Sequence, residues 1–274
     1  MKTTAVDFDT IKTGMRNTWM AGDFGEIARF IQHHADDFIE RRTITPNMSV
    51  LDVACGTGNL AIPAARKGAT VTGIDIADNL IDQARKRAQE EGLAIDFQVG
   101  DAEALAHTDG TFDLVVSMYG AMFAPRPALA AAELVRVCRP GGTIAMANWM
   151  PNTFIGEMFR VVGKHAPPPE GVPSPALWGD EATVRERLHT GLTEVRTTPI
   201  EVTLEYPFSV PEVIEFHIHF FGPIERAWAR LPEGERQALR RDLEEHWGRH
   251  NEASDGTTRV TAHYLEVVAT RAPY

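Results

Sequence analysis

Cysteine is scarce in this chain: Cys55 and Cys138 are the two among 274 residues, far apart in sequence, so neither a disulfide framework nor a cysteine metal site is suggested. Both are expected to be free thiols, and no metal is expected. Basic residues are also in deficit, with 27 Lys and Arg against 38 Asp and Glu and a formal net charge of −11. Non-specific nucleic-acid affinity comes from neutralising phosphates with basic side chains, so this balance disfavours a nucleic-acid partner. No run approaches the roughly 18 apolar residues of a membrane span, and Met1 to Met20 is polar with no apolar stretch of signal-peptide type. The cytoplasm is therefore the expected compartment. Repeats and low-complexity tracts are missing as well, and 43% hydrophobic with 24% charged residues is an ordinary globular composition. Oligomeric state is not legible in these features.

What the chain has is alternation. Asp23 is placed to cap a helix in which Phe24, Ile27, Ala28, Ile31, Phe38 and Ile39 recur at helical spacing. Thr45-Pro46-Asn47 ends it, and Ser49-Val50-Leu51-Asp52-Val53 follows as a short apolar run of the kind that makes a buried parallel strand. A short helix to Lys67-Gly68 leads to a second strand, Thr70 to Asp75. Asp78 is placed to cap a helix carrying Leu80, Ile81, Ala84 and Ala88, with Gly92 as its stop. Further strands are expected at Ile95 to Val99, Phe112 to Ser117 and Thr143 to Ala147. The last is preceded by a helix from about Ala128 and the turn Arg139-Pro140-Gly141-Gly142. Beyond it come a Pro-rich loop from Ala166 to Pro175, a helix near Asp180 to His189, and strands at Thr193 to Tyr206 and Tyr264 to Thr270.

Strand and helix in alternation predict an α/β fold, a doubly wound and mostly parallel sheet covered by helices on both faces. We expect one domain over 1–274. Its parts are an N-terminal helical cover (1–48), a cofactor-binding core (49–150), a loop, helix and strand (151–206), a helical insertion (207–258) and the last strand (259–274). An insertion of that length inside a compact domain is usually functional, often a lid over a pocket.

The central motif is Asp52-Val53-Ala54-Cys55-Gly56-Thr57-Gly58, at the carboxyl end of the first strand. Glycines there let the backbone approach a bound ligand, and open sheets bind ligands at this edge. Gly56-Thr57-Gly58-Asn59-Leu60-Ala61 also fits the loose G-x-G-x-x-A dinucleotide fingerprint, which is weak evidence alone. Spacing favours another ligand: Asp52 lies four residues before Gly56, Asp75 ends the second strand, and Asp101 follows the third. A dinucleotide needs the acid after the second strand but gives no reason for partners after the first and third. A sulfonium amino acid does, because its amine, ribose hydroxyls and adenine amine each need a polar partner.

At these residues the chain resembles the class I S-adenosylmethionine methyltransferases, in particular the small-molecule branch that includes the ubiquinone and menaquinone C-methyltransferases. The resemblance runs from Val50 to Trp149 through five motifs in order: the glycine motif, Gly73-Ile74-Asp75-Ile76, Val99-Gly100-Asp101-Ala102-Glu103, Phe112 to Ser117, and Arg139-Pro140-Gly141-Gly142. One departure is Ala54, where the family often has glycine. The resemblance implies a Rossmann-like sheet of about seven strands with the last antiparallel, S-adenosyl-L-methionine as cofactor, and methyl transfer to a small-molecule acceptor. It implies that Asp52 and the backbone of Ala54, Cys55, Gly56, Thr57 and Gly58 hold the methionine end and that Asp75 accepts both ribose hydroxyls. Ile76 would pack on adenine, Asp101 and Ala102, in the segment that continues to Glu103, would face the adenine amine, and Ser117, Met118 and Tyr119 would line the meeting point of donor and acceptor. Trp19 lies where related enzymes often fold a segment over the cofactor; an aromatic staple under the first helix is the more common explanation.

Methyl transfer from a sulfonium is an in-line displacement with a good leaving group, so positioning and desolvation can supply most of the rate and a base is optional. His217 and His219, in the insertion among aromatics, are candidates for such a base, beside Tyr119. Two residues apart on a helix they point to nearly opposite sides, so one at most faces a pocket and a shared metal is not expected. Tyr119 and Trp149 are substrate contacts or core aromatics. Among competing functions, a nucleic-acid amino-methyltransferase should carry Asn/Asp-Pro-Pro-aromatic after the fourth strand, where this chain has Ser117-Met118-Tyr119-Gly120. A nicotinamide oxidoreductase leaves the Asp101 motif unexplained. A cofactor-binding sensor without catalysis stays open, since the binding motifs serve binding alone.

Overall fold

A computed structural model describes residues 6–273; Met1 to Ala5 of the N-terminal cover and Tyr274 after the last strand lie outside the described residues. Seven strands form one sheet: β1 (Ser49–Val53), β2 (Thr70–Asp75), β3 (Ile95–Val99), β4 (Phe112–Met118), β5 (Cys138–Trp149), β6 (Leu192–Tyr206) and β7 (Thr258–Arg271). Their order is β3-β2-β1-β4-β5-β7-β6. The first five run parallel, and β7 is antiparallel to both of its neighbours. β1 is buried from Val50 to Val53, as expected for a strand with neighbours on both edges and helices on both faces. Between β1 and β4 the strand order reverses its direction, and the carboxyl edge at such a switch point is where open α/β sheets hold ligands.

The helices of the core are α4 (Ala61–Arg66), α5 (Asp78–Glu90) and α6 (Pro127–Val137), which pack on β1–β2, β2–β3 and β4–β5 respectively. α6 starts on a proline, whose missing N–H costs nothing at a helix start. Before the core lie α1 (Phe8–Trp19), α2 (Phe24–Arg29) and α3 (Gln32–Glu40); after it come α7 (Phe154–His165) and α8 (Glu181–Arg187). The insertion between β6 and β7 is three helices, α9 (Val210–Phe220), α10 (Gly222–Arg230) and α11 (Glu233–His250). A reciprocal Ser209–Glu212 capping box opens α9, and α10 packs back on α1 while α9 packs on α2. Insertion and N-terminal segment thus meet over the carboxyl edge of the sheet.

Three local expectations are corrected. The helix expected from Phe24 to Ile39 is two, α2 and α3, broken at Phe30-Ile31; Phe30 turns toward Tyr206, Phe208 and Phe216, with ring centroids 4.7 to 5.7 Å away, so tertiary aromatic packing overrides the helical period. Asp78 does not cap α5. Ala77 occupies the cap position and Asp78 pairs instead with Arg16 of α1 at 2.5 Å. Arg139 to Gly142 is not a separate turn before β5 but lies within it, where the register against β4 slips between Phe112–Cys138 and Leu114–Thr143 as in a bulge.

Gly73 in β2 shows how closely the site end of the sheet is packed. A Cβ there would sit 2.6 Å from the Phe97 ring and 3.1 Å from the Cys55 sulfur, and the same ring closes on Gly58. Over-packing of this kind costs about 1–3 kcal/mol. Gly73→Ala is expected to lower the unfolding free energy by about 2 kcal/mol, measured as a lower urea midpoint at unchanged m-value.

Candidate functional site

Parallel pairing of β1 with β2 sets Asp52 opposite Gly73, so Asp52 and Asp75 come to the same carboxyl edge beneath the loop that follows β1. Each carboxylate is tied to backbone amides. Asp52 Oδ2 accepts from Ala61 N at 3.0 Å, while Asp75 accepts from Gly56 N at 2.8 Å and from Ala77 N at 2.9 Å. The loop between them turns through Ala54 in the left-handed region, φ 57°, a conformation glycine adopts freely and alanine at a cost of about 1–2 kcal/mol. That backbone accounts for glycine being common here in the resembling family. Gly120 is the complementary position: a Cβ there would lie 2.6 Å from the Ala54 Cβ and carbonyl oxygen.

Asp52 and Asp75 are 1% and 7% exposed, and neither has an ion-pair partner among the described residues. Desolvation, reinforced by the neighbouring Asp75, pushes Asp52 up to about 8 against the opposing hydrogen bond from Ala61, and desolvation also raises Asp75. Two buried acids facing an empty space are suited to a cationic, hydroxyl-bearing ligand. That space is a cavity of about 1000 Å³, open at the switch point.

Of the residues singled out by sequence, Asp52, Ala54, Cys55, Gly56, Asp75, Ile76, Asp101, Ala102, Met118, Tyr119 and Trp19 all line this cavity. Thr57, Gly58, Glu103 and Ser117 do not touch it and serve its frame. Thr57 meets Arg87 and Asn59, and Ser117 Oγ donates to Val53 O while accepting from Ala121 N. Glu103, wholly buried at its side chain, is held by Arg126 and Lys12 at 2.7 Å each. Lys12 also reaches Asp101 at 2.5 Å, so α1 is latched across the cavity by Lys12 and, through Arg16, to Asp78. Lys12, Met15, Phe24 and Phe123 are lining residues that the sequence reading did not single out. The signal for two of them was present, since Phe8, Lys12, Met15 and Trp19 recur at three- and four-residue steps behind Asp7, whose carboxylate caps α1.

A second cavity, of about 510 Å³, adjoins the first and shares Trp19, Phe24, Ile31, Tyr119 and Phe123 with it. His217 lines this second space, with its Nδ1 donating to Val213 O at 2.8 Å, and burial lowers it to about 4. His219 points away, its side chain 61% exposed beside Glu215, in keeping with opposite faces for positions two apart. Tyr119 stacks on Trp149 at 3.8 Å with φ 54°, and its hydroxyl is buried without a partner and raised well above its ordinary value by desolvation. Trp19 packs edge-on to Phe24 at 5.7 Å and lines both cavities. Cys55 and Cys138 are free and buried, and burial pushes the Cys55 thiol up, as suits a packing residue.

A seven-stranded sheet of this order with acids after β1, β2 and β3 around one cavity defines a Rossmann-like methyltransferase fold. The family model described as "Methyltransferase domain" matches residues 50–142. An uncharacterized protein of Mycobacterium tuberculosis is 34% identical over 244 residues, 88% of each chain. A ubiquinone biosynthesis O-methyltransferase of Hahella chejuensis is 36% identical over 130 residues, 46% of this chain and 53% of that one. Among solved structures, phosphoethanolamine N-methyltransferase 2 of Haemonchus contortus, in complex with S-adenosyl-L-methionine, superposes with a TM-score of 0.56 at 17% identity, covering 88% of this chain and 53% of that one. This chain belongs to the class I S-adenosylmethionine-dependent methyltransferases, with S-adenosylmethionine as its cofactor. No helix among the described residues is long and apolar enough to cross a membrane.

The raised Asp52 fixes the sign of a pH effect. An acid whose folded value lies above its unfolded value contributes stability that is fully present below about pH 4 and is lost as pH rises through its folded value near 8. Asp52→Asn removes that titration and keeps an oxygen for Ala61 N. Denaturant unfolding from pH 5 to 8 is expected to show the wild-type chain losing up to about 1.4 kcal/mol per pH unit relative to Asp52→Asn. A constant difference across that range would show that Asp52 is not the titrating group.

Proposed function

We propose that the first cavity holds S-adenosylmethionine in one orientation and that the second receives a small-molecule acceptor. Asp52 and the backbone from Ala54 to Gly58 take the methionine end, Asp75 the ribose hydroxyls, Ile76 one face of adenine, and Asp101 with Ala102 the adenine amine. Lys12 holds Asp101 in place from the other side. The cofactor, when bound, supplies a methyl group on a sulfonium. The chain's residues supply alignment and exclusion of water, which are the main sources of rate for such a displacement. Met118 and Tyr119, at the end of β4, stand where donor and acceptor meet.

The observation that carries this reading is the shared wall. Five residues border both cavities, which sets the two spaces side by side at the end of β4, and the remaining wall of the second cavity comes from α2, α7, β5, β6, α9 and Phe221. Enclosure by N-terminal segment and insertion favours a molecule of modest size over a macromolecular surface, and the charge of −11 disfavours a polyanion. The relatives' names speak of oxygen in one case and nitrogen in another, so the acceptor has to be sought from this chain's own cavity.

The test is transfer of isotope-labelled methyl from S-adenosylmethionine into a metabolite extract by the purified protein, followed by mass. A labelled small product is expected, reduced at least a hundredfold by Asp75→Ala, about 2.7 kcal/mol of lost interaction. Label confined to macromolecules, or a product unaffected by Asp75→Ala, would overturn the proposal.

A further inference from the structure

The second cavity is lined by rings and aliphatic side chains, among them Trp19, Phe24, Tyr119, Trp149, Phe159 and Tyr206, and among the described residues no Asp, Glu, Lys or Arg is on its wall. A carboxylate or phosphate placed there would be desolvated without a cationic partner, which is costly. Flat apolar molecules suit such a wall, since stacked and edge-on ring contacts add to area burial.

His217 brings a ring nitrogen into this mainly apolar lining. The Val213 carbonyl can only accept, so the 2.8 Å contact fixes the proton of His217 on Nδ1 and leaves the lone pair on Nε2. Nε2 makes no hydrogen bond to any described residue, and the ring is held by Tyr206, Phe221 and Trp247, with centroids 5.1 to 6.1 Å away. The site therefore presents His217 Nε2 as a hydrogen-bond acceptor, with Tyr206 beside it, inside an aromatic chamber. Tyr119 does not supply a second group, because its hydroxyl is buried and unpaired.

Resting on the two-cavity reading above, we infer that the acceptor is a neutral aromatic molecule with a phenolic hydroxyl that donates to Nε2 of His217. The phenol oxygen, its hydrogen engaged, keeps a lone pair for the methyl carbon. As the oxygen–carbon bond forms, the carbon–sulfur bond breaks and its electron pair stays on sulfur. The phenolic proton passes to Nε2, so the positive charge moves from sulfonium to imidazolium and none is created. Burial of His217 disfavours the imidazolium, which then releases its proton to solvent and restores the neutral ring.

Calorimetry on the full chain saturated with S-adenosylhomocysteine tests this without turnover. The probes are 2-naphthol, naphthalene and 2-naphthoate. We expect 2-naphthol to bind about tenfold more tightly than naphthalene through one hydrogen bond, and 2-naphthoate to bind at least about a hundredfold more weakly than 2-naphthol. His217→Phe should erase the advantage of 2-naphthol over naphthalene at unchanged S-adenosylhomocysteine affinity, and His217→Gln, which keeps a carbonyl acceptor, should restore part of it. Equal binding of 2-naphthoate, no binding of any probe, or an advantage that persists in His217→Phe overturns the inference while leaving the cofactor assignment standing. Failure of the wild-type chain to bind S-adenosylhomocysteine overturns both.

Discussion

Two carboxylates, Asp52 and Asp75, lie buried under one loop with no lysine or arginine against them, and much of the surrounding architecture serves to keep them there. Burying an unpaired acid is costly, and the backbone amides of Ala61, Gly56 and Ala77 offset part of that cost without cancelling it, since both acids remain harder to ionise than in water. Holding them requires β1 and β2 side by side in fixed register and a loop tight enough to aim its amides inward. The Phe97 ring fills the space over Gly73 and Gly58, and Ala54 accepts a left-handed backbone with Gly120 leaving room for its side chain. Core packing and cofactor recognition are in this respect one problem.

The sheet was legible in the sequence because its strands obey local rules. β1, β2 and β3 are short apolar runs bounded by turn residues, and their limits agree with the expected ones, as does the stop at Gly92, which has φ 67°. The antiparallel direction of the last strand was implied by the family resemblance, and the long insertion before it emerged from pattern and spacing. Where the expectation failed, distant contacts won over local ones. Phe30 leaves a helical pattern for an aromatic cluster built from β6 and α9, and Asp78 gives up a cap for Arg16, sixty-two residues earlier.

The candidate site divides along the same line. Residues of the cofactor cavity that follow β1, β2 and β3 were found because each sits a few positions past a recognisable strand. Lys12, Phe123 and the second cavity as a unit were not, although Trp19, Tyr119, Trp149 and His217 were each noticed singly, because that cavity draws on seven separated segments and no spacing within any of them announces the others. His217 is intermediate: the helical period predicted that it and His219 would part, but the Val213 carbonyl, which leaves Nε2 as the free acceptor, is visible in three dimensions alone.

The two cavities also divide their electrostatics. Asp52, Asp75 and Asp101 line the first cavity, and among the described residues no Asp, Glu, Lys or Arg lines the second, in a chain whose net charge is −11. That separation has a chemical reason. A reaction that begins with a localised sulfonium and ends with charge spread over an imidazolium gains from a dry, weakly polar setting at the reacting centre, because water would stabilise the compact starting charge more than the dispersed transition state. A lysine or carboxylate in the second chamber would draw water with it and weaken that advantage. On the proposed reading the aromatic wall and the buried acids are therefore complementary parts of one arrangement: the acids hold the cation in place, and the aromatic wall removes the solvent that would otherwise keep it there unreacted.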